Sequence, residues 1–469
     1  MDKPNLNLRS KKLLVIIPDG VGIRNFVHTK FPEEAKKAGW QLMFLNMTPF
    51  DLKGIGHSEI KLVPKPSACT DLLKRAKILI ELDLFKSKFN DPVYEKYKFP
   101  VSSKGFKNKV KNFILSILIR RYNSETGLVK LRRKMNDSER KTGYYKSCME
   151  ILKQEKPDVV FCTNQRPVHA ISPVTAAQDL GISTSCFIFS WDNLPKATKV
   201  LDTDYYFVWS EYMKKELLQY YPDIKSDQIK ITGSPQFEIH KDRSVILEKD
   251  EFFDMYGLDK EKQYLCFSGD DITTSPHDEY FLKDIAEEVK KLNQKGYNLG
   301  IIFRRCPVDF SDRYNKILQK YTDLIVSINP VWTNGGGSWN HAIPTIDDLN
   351  LQTNIIEYSF MVINVGSSMV FDYVAKGKPC AYLNYLPSLT ELKKDIREVY
   401  LYTHFKSMPD RNSVYWINDK SDIPLIIKNA LENPEVVVSN AQDWFYRINN
   451  MHAEKNASKQ IVDQLDSLL

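Results

Sequence analysis

The chain alternates short apolar runs with amphipathic stretches, and glycine, proline or small polar residues mark the joins. Leu13-Leu-Val-Ile-Ile17 is continuous and apolar, as expected of a strand covered on both faces. Pro18-Asp19-Gly20-Val-Gly22 leads from it into a predicted helix from Arg24 to Ala38, which Gly39 stops, and then into a strand over Gln41–Leu45. From Glu155 the same rhythm returns, with strands predicted at Val159–Cys162, Thr184–Phe189, Tyr205–Trp209 and Ile229–Thr232. Gly233-Ser-Pro235 breaks the pattern. A second set follows at Tyr264–Phe267, Asn298–Phe303, Asp323–Ser327, Met361–Val365 and Pro379–Leu383, with a helix over His277–Gln294 and another running to Tyr358. Strands alternating with helices call for mostly parallel sheets. The predicted architecture is α/β, with two Rossmann-like domains facing each other across a cleft. Residues 1–235 form the first and 236–437 the second, and a helix over 438–469 returns to the first. A basic helical insertion occupies about 67–155.

At 469 residues, 42% hydrophobic and 27% charged, the composition is that of a folded globular protein and excludes wholesale disorder. The net charge of +7 suits an acidic substrate or an anionic membrane surface and does not by itself call for nucleic acid. Seven cysteines form no CxxC pair and read as reduced thiols. No secretory leader and no run long enough to span a bilayer is visible, so the expected location is cytoplasmic. Lys104–Tyr122 stands apart: its apolar block Phe113–Ile119 is flanked by lysines and arginines. It reads either as a buried helix with solvated basic ends or as an interfacial segment that puts the protein on the inner face of a membrane.

Candidate chemistry gathers where predicted strands end. In the second domain these ends are Ser268-Gly269-Asp270, Arg304-Arg305 and Gly366-Ser367-Ser368, the last opening a helix that ends at Gly377-Lys-Pro379. Amides of a glycine turn, a guanidinium and a helix N-terminus are three ways to hold a diphosphate. Asp372 is placed to meet a ribose, and Thr345 is placed as an N-cap. In the first domain Asp19 and Asp192 are the carboxylates at strand ends able to act as a base. Arg24, Asn25, His28, Arg166, His169, Trp191 and Asn193 surround them in sequence, and lone histidines of this kind are commonly structural. Three consecutive glycines lie in the long polar loop Trp332–His341. No P-loop, Ser/His/Asp arrangement or zinc-ligand spacing is present, so no metal or bound cofactor is expected.

Four patches resemble a known family. Ser190-Trp-Asp-Asn-Leu-Pro-Lys196, Phe303-Arg-Arg-Cys-Pro307, Gly366-Ser-Ser-Met-Val-Phe-Asp372 with Gly377-Lys-Pro379, and Ala453-Glu-Lys-Asn-Ala-Ser458 with Ile461-Val-Asp463 look like motifs of GT-B glycosyltransferases. The branch is that of bacterial teichoic-acid glycerophosphotransferases and surface-polysaccharide glycosyltransferases. The resemblance implies a metal-independent transferase that moves a sugar from a UDP-, GDP-, CDP- or CMP-activated donor to a hydroxyl of a glycan or lipid-linked acceptor. It implies donor contacts at Arg304, Ser367, Ser368 and Asp372, and Ser268, Gly269, Thr345 and Gly366 complete the expected donor set. Arg24, Asn25, His28, Arg166, Trp191 and Asn193 form the expected acceptor set, with Asp192 or Asp19 as the base. The motif histidines are replaced, by Asp192 in the first patch and Cys306 in the second, which favours a nucleotide sugar over a glycerophosphate donor. A nucleotide-sugar epimerase, a glycerophosphotransferase with a CDP-activated donor and a non-catalytic scaffold remain as alternatives.

Overall fold

The computed structural model describes residues 11–98, 104–334, 342–388, 394–450 and 452–469. The chain divides into two compact units, one running up to Pro235 and taking in Asn456–Leu469, the other spanning Gln236–Lys455.

The first unit is built on seven parallel strands: β1 (Lys11–Ile17), β2 (Trp40–Asn46), β3 (Glu59–Lys61), β4 (Val159–Cys162), β5 (Ser183–Phe187), β6 (Tyr205–Val208) and β7 (Ile229–Ile231), in the order β3-β2-β1-β4-β5-β6-β7. Leu13 to Ile17 are all fully buried, because helices cover both faces of this central strand. The order reverses direction between β1 and β4, whose registers are fixed by Leu13 opposite Val159 and Ile16 opposite Cys162. The helix expected over 24–38 is two helices, α1 (Gly20–Phe26) and α2 (Phe31–Lys37). Asp19 caps α1 through Gly22, and α2 starts afresh with Pro32 in its first turn, where a missing N–H costs nothing. Between β3 and β4 the insertion is four helices, α3 (Ala68–Phe89), α4 (Phe106–Tyr122), α5 (Glu125–Arg140) and α6 (Gly143–Glu155). Two further helices, α7 (Ile171–Asp179) and α8 (Glu211–Tyr220), follow β4 and β6.

A buried charge network holds the insertion to the sheet. Lys77 of α3, fully buried, donates to Glu81 at 2.7 Å and reaches the carbonyl of Ala197 at 3.4 Å. Arg132 of α5 pairs with Asp202 at 2.9 Å and with Asp223, and Lys199 donates to Asp202 at 2.5 Å. Burial lowers the Lys77 ammonium to about 8, whereas Lys199 and Arg132 hold the Asp202 carboxyl down at about 2 against its own burial.

The second unit has helix α9 (Lys249–Tyr256), strand β8 (Gln263–Ser268), helix α10 (Asp278–Asn293), strand β9 (Leu299–Arg304), the short helix α11 (Asn315–Lys320) and strand β10 (Ile325–Ile328). An antiparallel pair, β11 (Trp332–Asn334) and β12 (Ala342–Pro344), leads to helix α12 (Ile346–Tyr358), strand β13 (Ser359–Asn364), helix α13 (Met369–Val374), and strands β14 (Cys380–Leu383) and β15 (Tyr415–Ile417). The six-stranded parallel sheet runs β10-β9-β8-β13-β14-β15 and reverses between β8 and β13. The loop with three consecutive glycines falls largely on residues 335–341, outside the described residues.

The expected C-terminal helix 438–469 is not one element. After α14 (Ile423–Glu432), helix α15 (Glu435–Ile448) belongs to the second unit, where Trp444 and Phe445 pack on Phe371. Asn449 is extended, His452 sits at φ +61°, and helix α16 (Ala453–Asp466) is kinked at Asn456. Only Asn456–Leu469 joins the first unit, with Asp466 accepting from Lys11 at 2.7 Å.

Candidate functional site

In an open parallel sheet the carboxyl ends of the strands on either side of the reversal leave a crevice where ligands bind. Some sequence-derived candidates stand there, Asp19 after β1, Ser268 at the end of β8 and Gly366–Ser368 after β13, whereas Asp192 follows β5 and Arg304 ends β9, each one strand further out. In the first unit β1 ends at Asp19, whose Oδ1 accepts from the Gly22 amide at 3.1 Å and whose Oδ2 accepts from Asn164 Nδ2 at 2.5 Å. His169 Nε2–H donates to the Pro18 carbonyl at 3.1 Å, and burial pushes its pKa down, keeping the ring neutral. Arg166 is exposed and stacks on Phe189 at 5.2 Å, and burial together with the Arg166 charge pushes the Lys74 ammonium down. Asp19 therefore serves as a helix cap and a link to the β4 loop, with both oxygens engaged.

Asp192, after β5, is half-buried, as Asp19 is. Its Oδ1 accepts from Ser190 Oγ at 2.6 Å and Asn193 Nδ2 at 2.9 Å, and Lys196 pairs with Oδ2. Buried Gln165 ties this loop to β4, donating to Asn193 Oδ1 at 2.9 Å and accepting from the Phe189 amide at 3.2 Å. Next to Asp192 stands Glu216 of α8, 6% exposed, with Oε2 lacking a hydrogen-bond partner among the described residues. Burial, with a smaller contribution from the Asp192 charge, raises the Glu216 carboxyl to about 8. Burial thus favours the protonated form of the Glu216 carboxyl beside Asp192. Glu216 escaped the sequence reading, although its spacing from Met213, Leu217 and Tyr220 marks a charged residue on an apolar helix face.

The expected acceptor residues divide. Arg166 is open. Trp191 and Asn193 are buried, Asn193 being engaged as described. Asn25 is fully buried in α1 with neither side-chain polar atom partnered among the described residues, Arg24 is half-buried, and half-exposed His28 lies edge-on to Phe50 at 5.9 Å.

In the second unit Ser268, Arg304 and Gly366–Ser368 stand at the ends of the adjacent strands β8, β9 and β13, with Ser268 opposite Arg304. Several of the expected donor contacts have other partners there. The Gly269 amide donates to the Arg304 carbonyl at 2.9 Å, and Asp270 and Asp278 crowd the turn. Burial raises the Asp278 carboxyl to about 6, and burial together with Asp278 and Asp271 raises Asp270 well above the usual range. Arg304 is 5% exposed; its Nη2 donates to Asp348 Oδ1 and Oδ2 at 3.0 and 2.8 Å, and its Nη1 is buried with no partner among the described residues. Asp348 also accepts from the Val331 amide at 2.7 Å and Trp332 Nε1 at 2.6 Å. Thr345 caps α12 through the Asp348 amide at 3.1 Å. Arg305 stacks near Tyr314 and donates to the Ser311 carbonyl at 2.6 Å.

The Gly366 turn is not an open cradle of amides. Gly366 has φ +62°, and a Cβ there would lie 2.9 Å from Val399 and 3.1 Å from Phe405. The Ser367 amide donates to Asn364 Oδ1 at 2.9 Å, and Ser367 Oγ accepts from the Met369 amide at 3.3 Å. Helix α13 is only six residues long, a weak dipole. Ser368 is exposed. Asp372, expected at a ribose, is buried and bonded to His240 Nε2 at 2.7 Å, because its helix face points into the unit. Ser268, Ser368 and Arg304 Nη1 remain as polar groups with capacity for a ligand. Among the described residues no cluster of three His, Cys, Asp or Glu side chains is arranged to hold a metal ion.

Two units, each a parallel sheet with a single reversal, define the GT-B type of fold. Solved structures of that type match over the whole chain. S. aureus MnaA, solved with UDP, is 13% identical at a TM-score of 0.50, covering 98% of each chain. The UDP-GlcNAc 2-epimerase of Methanocaldococcus jannaschii is 15% identical at a TM-score of 0.51, covering 97% of this chain and 99% of its own. The putative UDP-N-acetylglucosamine 2-epimerase of Listeria monocytogenes is 10% identical at 0.51, covering 97% and 96%. No protein-family model and no curated protein sequence matches the chain.

Proposed function

We propose that the protein acts on a nucleotide-activated sugar, with epimerisation of the sugar as the first reading. The observation that carries it is the placement of ligand-capable groups at the carboxyl ends of strands at or next to the reversal in both sheets of a GT-B fold. In the second unit Arg304 Nη1 is a buried cationic donor lacking an acceptor, an arrangement that a diphosphate oxygen relieves, with the Ser268 and Ser368 hydroxyls at the neighbouring strand ends. In the first unit Asp192, held by Lys196 and Asn193, is the base. Glu216, whose carboxyl burial holds protonated at neutral pH, adds no second charge beside Asp192. Epimerisation at a sugar carbon needs a proton removed from one face and a proton returned to the opposite face, and no acceptor; Asp192 performs the removal, and solvent supplies the returning proton. The whole-length likeness to structures named as UDP-GlcNAc 2-epimerases supports this order of readings.

Transfer of the sugar to a hydroxyl of a glycan or lipid-linked acceptor in surface-polysaccharide synthesis is the second reading, supported by the motifs at 190–196, 303–307 and 366–379. Asp192 would then deprotonate the acceptor. Thermal-shift measurements with UDP, GDP, CDP and CMP sugars test the nucleotide, because a ligand of the folded state raises the melting temperature. NMR of a stabilising nucleotide sugar incubated without acceptor should show its epimer, and Asp192→Asn should abolish the conversion. Turnover only on adding an acceptor moves the assignment to transfer. Absence of stabilisation by every nucleotide overturns both readings and leaves a non-catalytic scaffold.

A further inference from the structure

Helix α4 has two apolar faces, and among the described residues α3 and α5 pack on one of them. Leu115 is buried, and with Leu118, Ile119 and Tyr122 it faces the packed layer of α3 and α5. Phe106, Val110, Phe113, Ile114 and Ile117 are exposed, at 81, 41, 66, 40 and 49%. Their spacing puts them on one stripe about 100° wide, opposite Leu115. Isolated exposed apolar residues are ordinary, but a continuous helical stripe containing two phenylalanines marks an interaction surface.

The charge on the same helix selects the partner. Between Lys104 and Tyr122 there are six cations, Lys104, Lys107, Lys109, Lys111, Arg120 and Arg121, and no Asp or Glu. All six are exposed. Lys107, Lys109, Lys111, Arg120 and Arg121 have no acidic partner among the described residues, in a chain whose other surface lysines are commonly paired, as in Lys37 with Glu33 and Lys459 with Asp463. On the helical wheel Lys109 and Arg120 border one side of the stripe and Lys107 the other, while Arg121 lies in line with the stripe at its C-terminal end. A second copy of this chain would set these cations against one another. No helix among the described residues is long and apolar enough to cross a membrane. An apolar stripe bordered on both sides by unpaired cations is the form that lies in the headgroup layer, with the apolar side chains in the acyl boundary and the cations at lipid phosphates.

We propose that α4 docks the protein onto an anionic lipid bilayer, lying in its surface through the Phe106–Ile117 stripe. This surface is independent of the sugar chemistry and stands if the functional reading above falls.

The test is co-sedimentation of the full-length protein with vesicles of phosphatidylcholine alone or with 30 mole per cent phosphatidylglycerol. The protein should bind the anionic vesicles at least tenfold more tightly, and 0.5 M NaCl should reverse most of that binding. Phe113→Glu with Ile117→Glu should remove it, and Lys107→Glu with Lys109→Glu should weaken it several-fold. All variants should keep the parent melting temperature, since none of these side chains is buried. Equal affinity for neutral and anionic vesicles, no binding at low salt, or binding unchanged in Phe113→Glu/Ile117→Glu would each overturn the proposal. So would a parent dimer, seen by light scattering, that the same double variant makes monomeric, because the stripe would then belong to a second copy.

Discussion

Replacing Asp348 by Ala removes the acceptor for both Arg304 Nη2 contacts and for the Val331 amide and Trp332 indole donors. Arg304 is 5% exposed, so its charge would remain in the interior without a counterion. Breaking one side of a buried pair costs about 3–5 kcal/mol, because the survivor stays desolvated. Val331 is exposed, so its amide finds water and adds little. A loss of about 4 kcal/mol in a unit of this size corresponds to a melting-temperature fall of about 8–16 °C. The assay is thermal and urea unfolding followed by tryptophan fluorescence, with separate transitions fitted for the two units. Arg304→Met/Asp348→Leu removes both charges and should recover most of the loss, while each single change is costly. If the single changes are mild, or the double change equals their sum, the pair is not coupled and the reasoning fails.

Two further outcomes follow from the same accounting of buried groups. Glu216 has a folded pKa of about 8 against an ordinary 4.5, so between these values the native state holds a proton the unfolded chain has released. Its contribution is complete below about pH 4.5 and is lost as pH rises toward 8, at up to about 1.4 kcal/mol per pH unit; Glu216→Gln should flatten urea-midpoint profiles in that window. Gly366→Ala meets both a left-handed φ of +62° and Val399 at 2.9 Å, and should lower stability by about 1–3 kcal/mol in the same unfolding assay.

The central strands were legible because burial on both faces leaves no polar position to confuse the pattern. Val159–Cys162 is bounded by its own sequence. The edge strands were not: Glu59-Ile-Lys61 and Tyr415-Trp-Ile417 are three residues long, too short to show a period. The division of 24–38 into two helices turned on Pro32, whose preference for a first turn outweighed the continuous apolar spacing. In the site, strand-end residues such as Asp19, Asp192 and Arg304 could be named from the sequence, since any carboxyl end of a parallel strand offers a ligand position. What each side chain holds could not. Arg304 meets a carboxylate 44 residues further on, and Asp372 meets His240 across 132 residues. Such pairs depend on tertiary placement that local pattern does not encode.

The buried charges of the insertion bear on the carboxylate at the end of β5. Lys77 of α3 reaches the carbonyl of Ala197, one residue after Lys196, the partner of Asp192, while Arg132 of α5 and Lys199 share Asp202 a few residues on. The peptide that carries Asp192 is therefore clamped from the side by the helices on which α4 rests. Cutting out residues 67–155 would leave the buried Lys199 and half-buried Asp202 without Arg132 and release that peptide from its clamp. The insertion is part of the mounting of the peptide that carries Asp192, and a shortened chain would forfeit both together.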